Sequence, residues 1–170
     1  MKGVIFDWDG VVIDSSPEHE RSWEILSDEI SLPLIPGHFK LGFGKKNELI
    51  IPKILKWSDD PAIIEKLARR KEEIYRGLVR ERGVNILPGA RELLAGLCRE
   101  SIPRAIGSST PRENLEAIFS ATGLDELFDA VVCGDDVVNG KPAPDVFLLA
   151  ARKLSLKPAD RSEEHTSELQ

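Results

Sequence analysis

The chain has 170 residues, 41% hydrophobic and 31% charged, which suits one sizeable soluble domain or a core with a modest insertion, and no apolar run approaches the ~20 residues of a membrane helix. Its net charge of -6, with no basic stretch to offset it, argues against nucleic acid as a partner, so an anionic ligand would need locally placed cations. Cys98 and Cys133 lie far apart without metal-ligand spacing, which excludes a zinc motif and leaves two buried free thiols as the expectation.

Met1 runs directly into the strand-like KGVIFDW with no charged-then-apolar leader, so a cytoplasmic protein is expected, away from membranes and monomeric. Gly3 to Phe6 reads as a buried strand that breaks into a loop at Asp9-Gly10. From Pro17 to about Gly83 the pattern is helical, with stripes of Trp23, Leu26 and Ile30, then Leu49, Ile50 and Ile54, then Ile63, Leu67, Ile74 and Leu78. The three glycines of GHFKLGFGKKN mark a loop within it, and RRKEE at Arg69 to Glu73 reads as a solvated helix face. After Leu87-Pro88-Gly89 a helix with Leu93, Leu94 and Leu97 inward leads to a strand from Pro103 to Gly107. A helix from about Pro111 to Ala121, a strand from Ala130 to Cys133 and a helix from Asp145 to Leu154 follow. Such alternation predicts an α/β fold, a doubly wound, Rossmann-like parallel sheet that binds ligands at the carboxyl ends of its strands.

Three segments at those strand ends carry candidate chemistry. FDWDGVV sets Asp7 and Asp9 at i and i+2, on one face of an extended chain, with Trp8 on the other. Such a pair can share a divalent cation while one oxygen attacks phosphorus and the other carboxyl shuttles a proton, and Gly10 permits the sharp turn beside them. A calcium loop would also begin this way and finds Glu18 at its twelfth position, but Val12 occupies the position that requires glycine. AIGSST ends a strand in three hydroxyl residues ahead of Pro111: Ser108 can offer its hydroxyl and Ser109 and Thr110 backbone N–H groups to a phosphate, or the segment simply caps a helix. In NGKPAPD, Lys141 is held between Gly140 and Pro142, where it can pair with a phosphoryl group and Asp7, or it is a solvated surface lysine.

Taken in order, FDWDGVV, AIGSST and GKPAPD resemble the first three motifs of the haloacid dehalogenase superfamily, in the branch that holds β-phosphoglucomutase and the sugar-phosphate and phosphoglycolate phosphatases. The resemblance spans Met1 to about Asp160. It implies a core of 1–14 and 84–160 with a helical cap of 15–83, Asp7 as nucleophile, Asp9 as general acid and base, and Ser108 and Lys141 holding the phosphoryl group. It implies a Mg2+ ion on Asp7 and on the Asp9 backbone carbonyl, and a small phosphorylated metabolite as substrate. His19 and Lys45 then fall where that branch touches substrate or gates closure, and Arg112 is a candidate for a distal phosphate; for each a solvated or capping role is the competing reading. The expected activity is a phosphatase or, where a sugar hydroxyl replaces water, a phosphomutase. A phosphoaspartate signalling module carries similar residues but no large helical insert, and a non-catalytic phosphate-binding remnant is the reading from another class.

The family's fourth motif, an acidic pair after a further strand, has no counterpart before Asp160. Asp135 and Asp136 precede Lys141 and are expected to cap or line a loop. The last ten residues, RSEEHTSELQ, resemble a translated sequencing adapter, so 161–170 is expected to stand apart from the fold as an artefactual tail. A C-terminally truncated core of this kind would expose the open edge of the first strand and bind magnesium weakly.

Overall fold

The computed structural model describes residues 3–156 and 161–163. They divide into two compact units, Met1–Ser15 with Gly83–Gln170, and Ser16–Arg82. Among the described residues no helix is long and apolar enough to cross a membrane.

The first unit is built on a parallel sheet. Strand β1 (Gly3–Phe6) is followed by the short β2 (Ile13–Asp14). After the inserted unit come β3 (Asn85–Ile86), β4 (Arg104–Gly107), β5 (Ala130–Val132) and β6 (Arg161–Glu163). The sheet order is β5-β4-β1-β6, and Phe6 lies opposite Ile106, which lies opposite Val131. This register brings the carboxyl ends of β1, β4 and β5 to one edge of the sheet, each strand being a short apolar run bounded by loop residues. The chain steps outward from β1 to β4 to β5 and then returns to the far side of β1, so β1 stands at the reversal of strand order.

One expectation about this sheet is corrected, and one pairing is new. The edge of β1 is not open, because Gly3, Val4 and Ile5 pair in parallel with Arg161, Ser162 and Glu163. Strand pairing is carried by backbone groups that need partners, so a polar segment can fill the edge that an apolar strand was expected to occupy. The other residues of 157–170 lie outside the described residues. The pairing of β2 with β3, Ile13 opposite Ile86 and Asp14 opposite Asn85, was not foreseen, since two-residue strands leave no periodic signal.

Each unit has its own helices. In the inserted unit these are α1 (Ser16–Ile30), α2 (His38–Gly42), α3 (Asn47–Leu49), a π-helical turn over Ile50–Leu55, and α4 (Pro61–Arg82). In the sheet unit they are α5 (Ala90–Arg99), α6 (Arg112–Thr122) and α7 (Asp145–Lys153). On one face Val146, Phe147, Ala150 and Ala151 of α7 pack on Ile5, Ala105 and Val132. The close approach depends on Gly107, where a Cβ would lie 2.9 Å from the Phe147 ring. In α5 only Leu94 is buried while Leu93 is 53% exposed, so the predicted inward triplet is reduced to one fully buried residue. A ten-residue helix touching the core along a narrow line buries fewer positions than its apolar stripe offers. Cys133 is buried but Cys98 faces solvent, contrary to the expectation of two buried thiols.

The inserted unit is helical as predicted and has its own core of Trp23, Leu26, Ile50, Ile51, Leu55, Ala68, Ile74 and Leu78. Asp60 starts α4, its carboxylate accepting the Ala62 N–H at 2.8 Å ahead of the first turn that Pro61 opens. Three readings change here. The glycine-marked loop contains α2, whose turn is closed by the Leu41 N–H donating to the Gly37 carbonyl at 3.0 Å, tertiary context overriding a propensity cost of about 1 kcal/mol. Ile63 and Leu49 are exposed at 47% and 53%, which takes both out of the predicted stripes. Lys71, read as part of a solvated face, is buried on the same side of α4 as Ala68, Ile74, Tyr75 and Leu78.

Candidate active site

Asp7 is the first residue beyond β1 and Asp9 lies in the turn that follows. That turn is tight: the Trp8 carbonyl accepts the Val12 N–H at 2.9 Å, and Gly10 donates its N–H to the Ile13 carbonyl at 2.8 Å. Gly10 has φ of 80°, a conformation that side-chain-bearing residues rarely adopt. Trp8 points into the core, fully buried and edge-on to Phe119 and Phe128, so the two aspartates emerge on the opposite side.

Asp7 Oδ1 accepts the Trp8 N–H at 2.7 Å and pairs with Lys141 Nζ at 2.5 Å. The ammonium also sits 4.8 Å above the Phe147 ring, which the approach to Gly107 brings into place. Both partners are little more than a quarter exposed, 29% and 27%, which leaves this pair within reach of a ligand. The structure thus brings together Asp7 and Lys141 from loops 134 positions apart in sequence numbering.

Both oxygens of Asp9 are engaged by hydroxyls: Ser15 Oγ donates to Oδ1 at 2.5 Å and Thr110 Oγ1 to Oδ2 at 2.6 Å. Burial raises the Asp9 pKa, the two hydroxyl hydrogen bonds oppose it, the Asp7 charge adds to the rise and Lys141 subtracts from it. Ser108 is buried, donates its hydroxyl to Thr110 Oγ1 at 2.8 Å and accepts the Thr110 N–H at 3.0 Å. Ser109 is exposed at the tip of the same loop. Gly10 and Thr110 therefore spend their N–H groups inside the protein, while no described group accepts the Ser109 N–H.

Arg112 is turned to its own neighbourhood. Its N–H donates to Asp135 at 2.7 Å and its guanidinium to Asp136 at 2.5 Å, a hydrogen bond that raises the Arg112 pKa. Asp136 also accepts the Cys133 N–H at 2.9 Å, so both acids serve the loop after β5. His19 and Lys45 belong to the inserted unit. Lys45 is exposed and donates to the Leu41 carbonyl at 2.7 Å, at the end of α2. The His19 ring stacks on Tyr75 with centroids 3.9 Å apart, and Lys71 Nζ lies 2.6 Å from its Nδ1.

Lys71 is the residue that sequence reasoning missed. Its ammonium also contacts Glu72 at 3.0 Å, and Glu72 accepts from Asn47 at 2.7 Å, joining α1, α3 and α4 through one polar cluster. Its position four residues before Tyr75 and seven before Leu78, on the apolar side of α4, was the available signal. Burial first, then the Lys71 charge, holds the His19 pKa down to about 3, with Glu72 opposing. The folded value lies below the unfolded one, so between these values the unfolded chain binds more protons and stability falls as pH drops from 6.5 toward 3. His19→Gln should flatten that slope between pH 6.5 and 5, by at most about 1.4 kcal/mol per pH unit, in urea unfolding curves. The His19 ring resonances should hold their neutral positions down to pH 5; a midpoint near 6.5 would refute the buried cluster.

For a cation, the open oxygens are Asp7 Oδ2 and the Asp9 carbonyl, neither of which meets a hydrogen-bond donor among the described residues. Hard oxygen donors of this kind fit magnesium, although no group of three or more His, Cys, Asp or Glu side chains suited to a metal occurs among the described residues.

A parallel α/β sheet with paired aspartates at its reversal point, contacted by Lys141 and Thr110 from the loops after two other strands, defines a Rossmann-like hydrolase core. Residues 1–160 match the family model of the haloacid dehalogenase-like hydrolases, and the chain belongs to that family. It is 36% identical to the chloroplastic 5-amino-6-(5-phospho-D-ribitylamino)uracil phosphatase of Arabidopsis thaliana over 92% of this chain, but spans only 42% of that protein's length. It is 32% identical to the β-phosphoglucomutase of Bacillus subtilis, over 94% of this chain and 73% of that one. Among solved structures, a mutant CbbY from Rhodobacter sphaeroides in complex with xylulose-(1,5)bisphosphate superimposes with a TM-score of 0.82 at 25% identity, covering 96% of this chain and 76% of that chain.

Proposed function

We propose that the protein is a magnesium-dependent phosphatase that hydrolyses a small phosphate ester, a sugar phosphate or a similar metabolite, through a phosphoryl group carried on Asp7. The observation that carries this reading is the Asp7–Lys141 contact at the carboxyl end of β1 with Asp9 held two residues further on. An Asp7 carboxylate oxygen forms a bond to phosphorus as the bond to the leaving oxygen breaks, and Asp9 delivers its proton to that oxygen. Asp9 then takes a proton from water as the water oxygen bonds to phosphorus and the Asp7–phosphorus bond breaks. Its raised pKa suits a group that must be protonated in one half of the cycle and ionised in the other. Lys141 offsets the charge that accumulates when a phosphate approaches the Asp7 carboxylate, and since the Ser108 hydroxyl donates to Thr110, the Ser109 N–H is the neutral donor of that loop left for a phosphate oxygen.

Magnesium, when bound, would supply further positive charge at the phosphoryl oxygens, held by Asp7 and the Asp9 carbonyl. With two open protein oxygens among the described residues, weak binding of the ion is expected. The names of the relatives support a phosphorylated sugar or sugar-like substrate, and similarity to a β-phosphoglucomutase supports transfer to a second sugar hydroxyl as the alternative outcome.

The test is release of inorganic phosphate from a panel of sugar phosphates and other monoesters at saturating magnesium, with and without EDTA. Turnover that EDTA removes is the expected result. Isomerised sugar phosphate with little free phosphate would favour the mutase, and phosphate binding without turnover of any ester would leave only a binding protein.

A further inference from the structure

We propose that Thr110 is a positioning residue for Asp9, aiming its carboxyl group together with Ser15, and is not part of the phosphate cradle. The inference rests on the reading of Asp9 as the group that moves the proton.

Every polar atom of Thr110 is committed within the protein. Its N–H donates to Ser108 Oγ at 3.0 Å, its carbonyl accepts the Gly134 N–H at 3.0 Å, and its hydroxyl donates to Asp9 Oδ2 at 2.6 Å. Ser108 decides the direction of that last bond. Because the Ser108 hydroxyl donates into Thr110 Oγ1 at 2.8 Å, the single Thr110 proton is left pointing at Asp9. Nothing in this set remains to receive a phosphate oxygen.

Asp9 needs such a clamp for a reason of geometry. The backbone turn at Gly10 fixes its Cα, but the terminal torsion of an aspartate is broad, so the backbone alone leaves the carboxyl plane undetermined. Donors on both oxygens remove that freedom, and they come from separate segments, Ser15 after β2 and Thr110 after β4. At 2.5 and 2.6 Å both have the length of charge-assisted hydrogen bonds, and Ser15 is buried, where water competes poorly. The chain of donors from Ser108 through Thr110 to Asp9 thus ties the second motif segment to the first across 101 positions.

A cradle residue and a positioning residue fail differently. Thr110→Val keeps the shape and removes the hydroxyl; kcat should fall by about 10- to 100-fold, the cost of misaiming a reacting group, with KM and competitive inhibition by inorganic phosphate unchanged. Thr110→Ser should restore kcat. A rise in KM and in the phosphate inhibition constant with kcat retained would overturn the proposal, as would full activity of Thr110→Val. A second measurement does not depend on turnover. In protein labelled with 13C at aspartate carboxyl carbons, the Asp9 resonance, identified by its loss in Asp9→Asn, should be displaced at pH 8 in Thr110→Val and unmoved in Thr110→Ser. An unmoved resonance in Thr110→Val would sink the clamp. Should the unaltered protein release no phosphate from any ester while that resonance moves, the phosphatase reading fails and the clamp on Asp9 stands.

Discussion

Asp7→Asn should leave a folded protein whose release of phosphate from any ester has dropped by on the order of 10^4-fold or more. The amide has nearly the volume of the carboxylate and keeps an oxygen for the Trp8 N–H, so the turn after β1 has no steric reason to change. What is lost is the anion that attacks phosphorus, and with it the partner of Lys141. That ion pair is part-exposed on both sides, and pairs of this sort contribute about 0–1 kcal/mol to folding. The melting temperature should therefore move by no more than about 5 °C while activity disappears, a separation between stability and turnover that marks a residue used for chemistry. Phosphate release and a thermal melt on the same preparation check both halves. Turnover within tenfold of the unaltered protein would remove Asp7 from the reaction.

The largest loss of stability is expected one residue further on. Trp8 is fully buried between the rings of Phe119 and Phe128, and Trp8→Ala should cost about 3–5 kcal/mol, a large share of the 5–15 kcal/mol that holds a typical domain together. Trp8→Phe tests a finer point. Among the described residues Trp8 Nε1 has no hydrogen-bond partner, and an unsatisfied buried donor costs about 1–3 kcal/mol. Phenylalanine removes that donor but leaves a small void, so the two terms oppose each other and the net change should stay within about 1 kcal/mol. Urea midpoints of the three proteins give the comparison. A Phe variant as unstable as the Ala variant would mean that Nε1 is satisfied after all, by a group such as an ordered water.

The place of the aspartates did not require the structure, since a short apolar run from Gly3 to Phe6 that stops at Asp7-Trp8-Asp9-Gly10 is a local signal of a strand giving way to a tight turn. The same holds for β4 before Ser108, for β5 before the loop of Lys141, for helix α6 between Pro111 and Gly123, and for the start of α7 after Pro144. Parallel order then follows from the alternation of strands and helices, which is why three distant segments were expected at one edge.

Partner choice was not legible in this way. AIGSST shows three hydroxyl residues but not that the Thr110 proton goes to Asp9 and its N–H to Ser108, nor does NGKPAPD show that Phe147 lies under Lys141. Arg112 and Asp136 find each other across 24 positions, and Lys71 is buried against His19 across 52, because the fold brings them together; read locally, Arg112 was a candidate for a distal phosphate and Lys71 part of a solvated helix face. By itself the sequence determined where strands stop and which chemical groups stand at those stops, since hydrophobic periodicity and turn residues act over a few positions. Only the tertiary structure decided which proton points to which oxygen, which member of an apolar stripe is covered, and what fills the edge of β1, since those depend on contacts whose partners are far away along the chain.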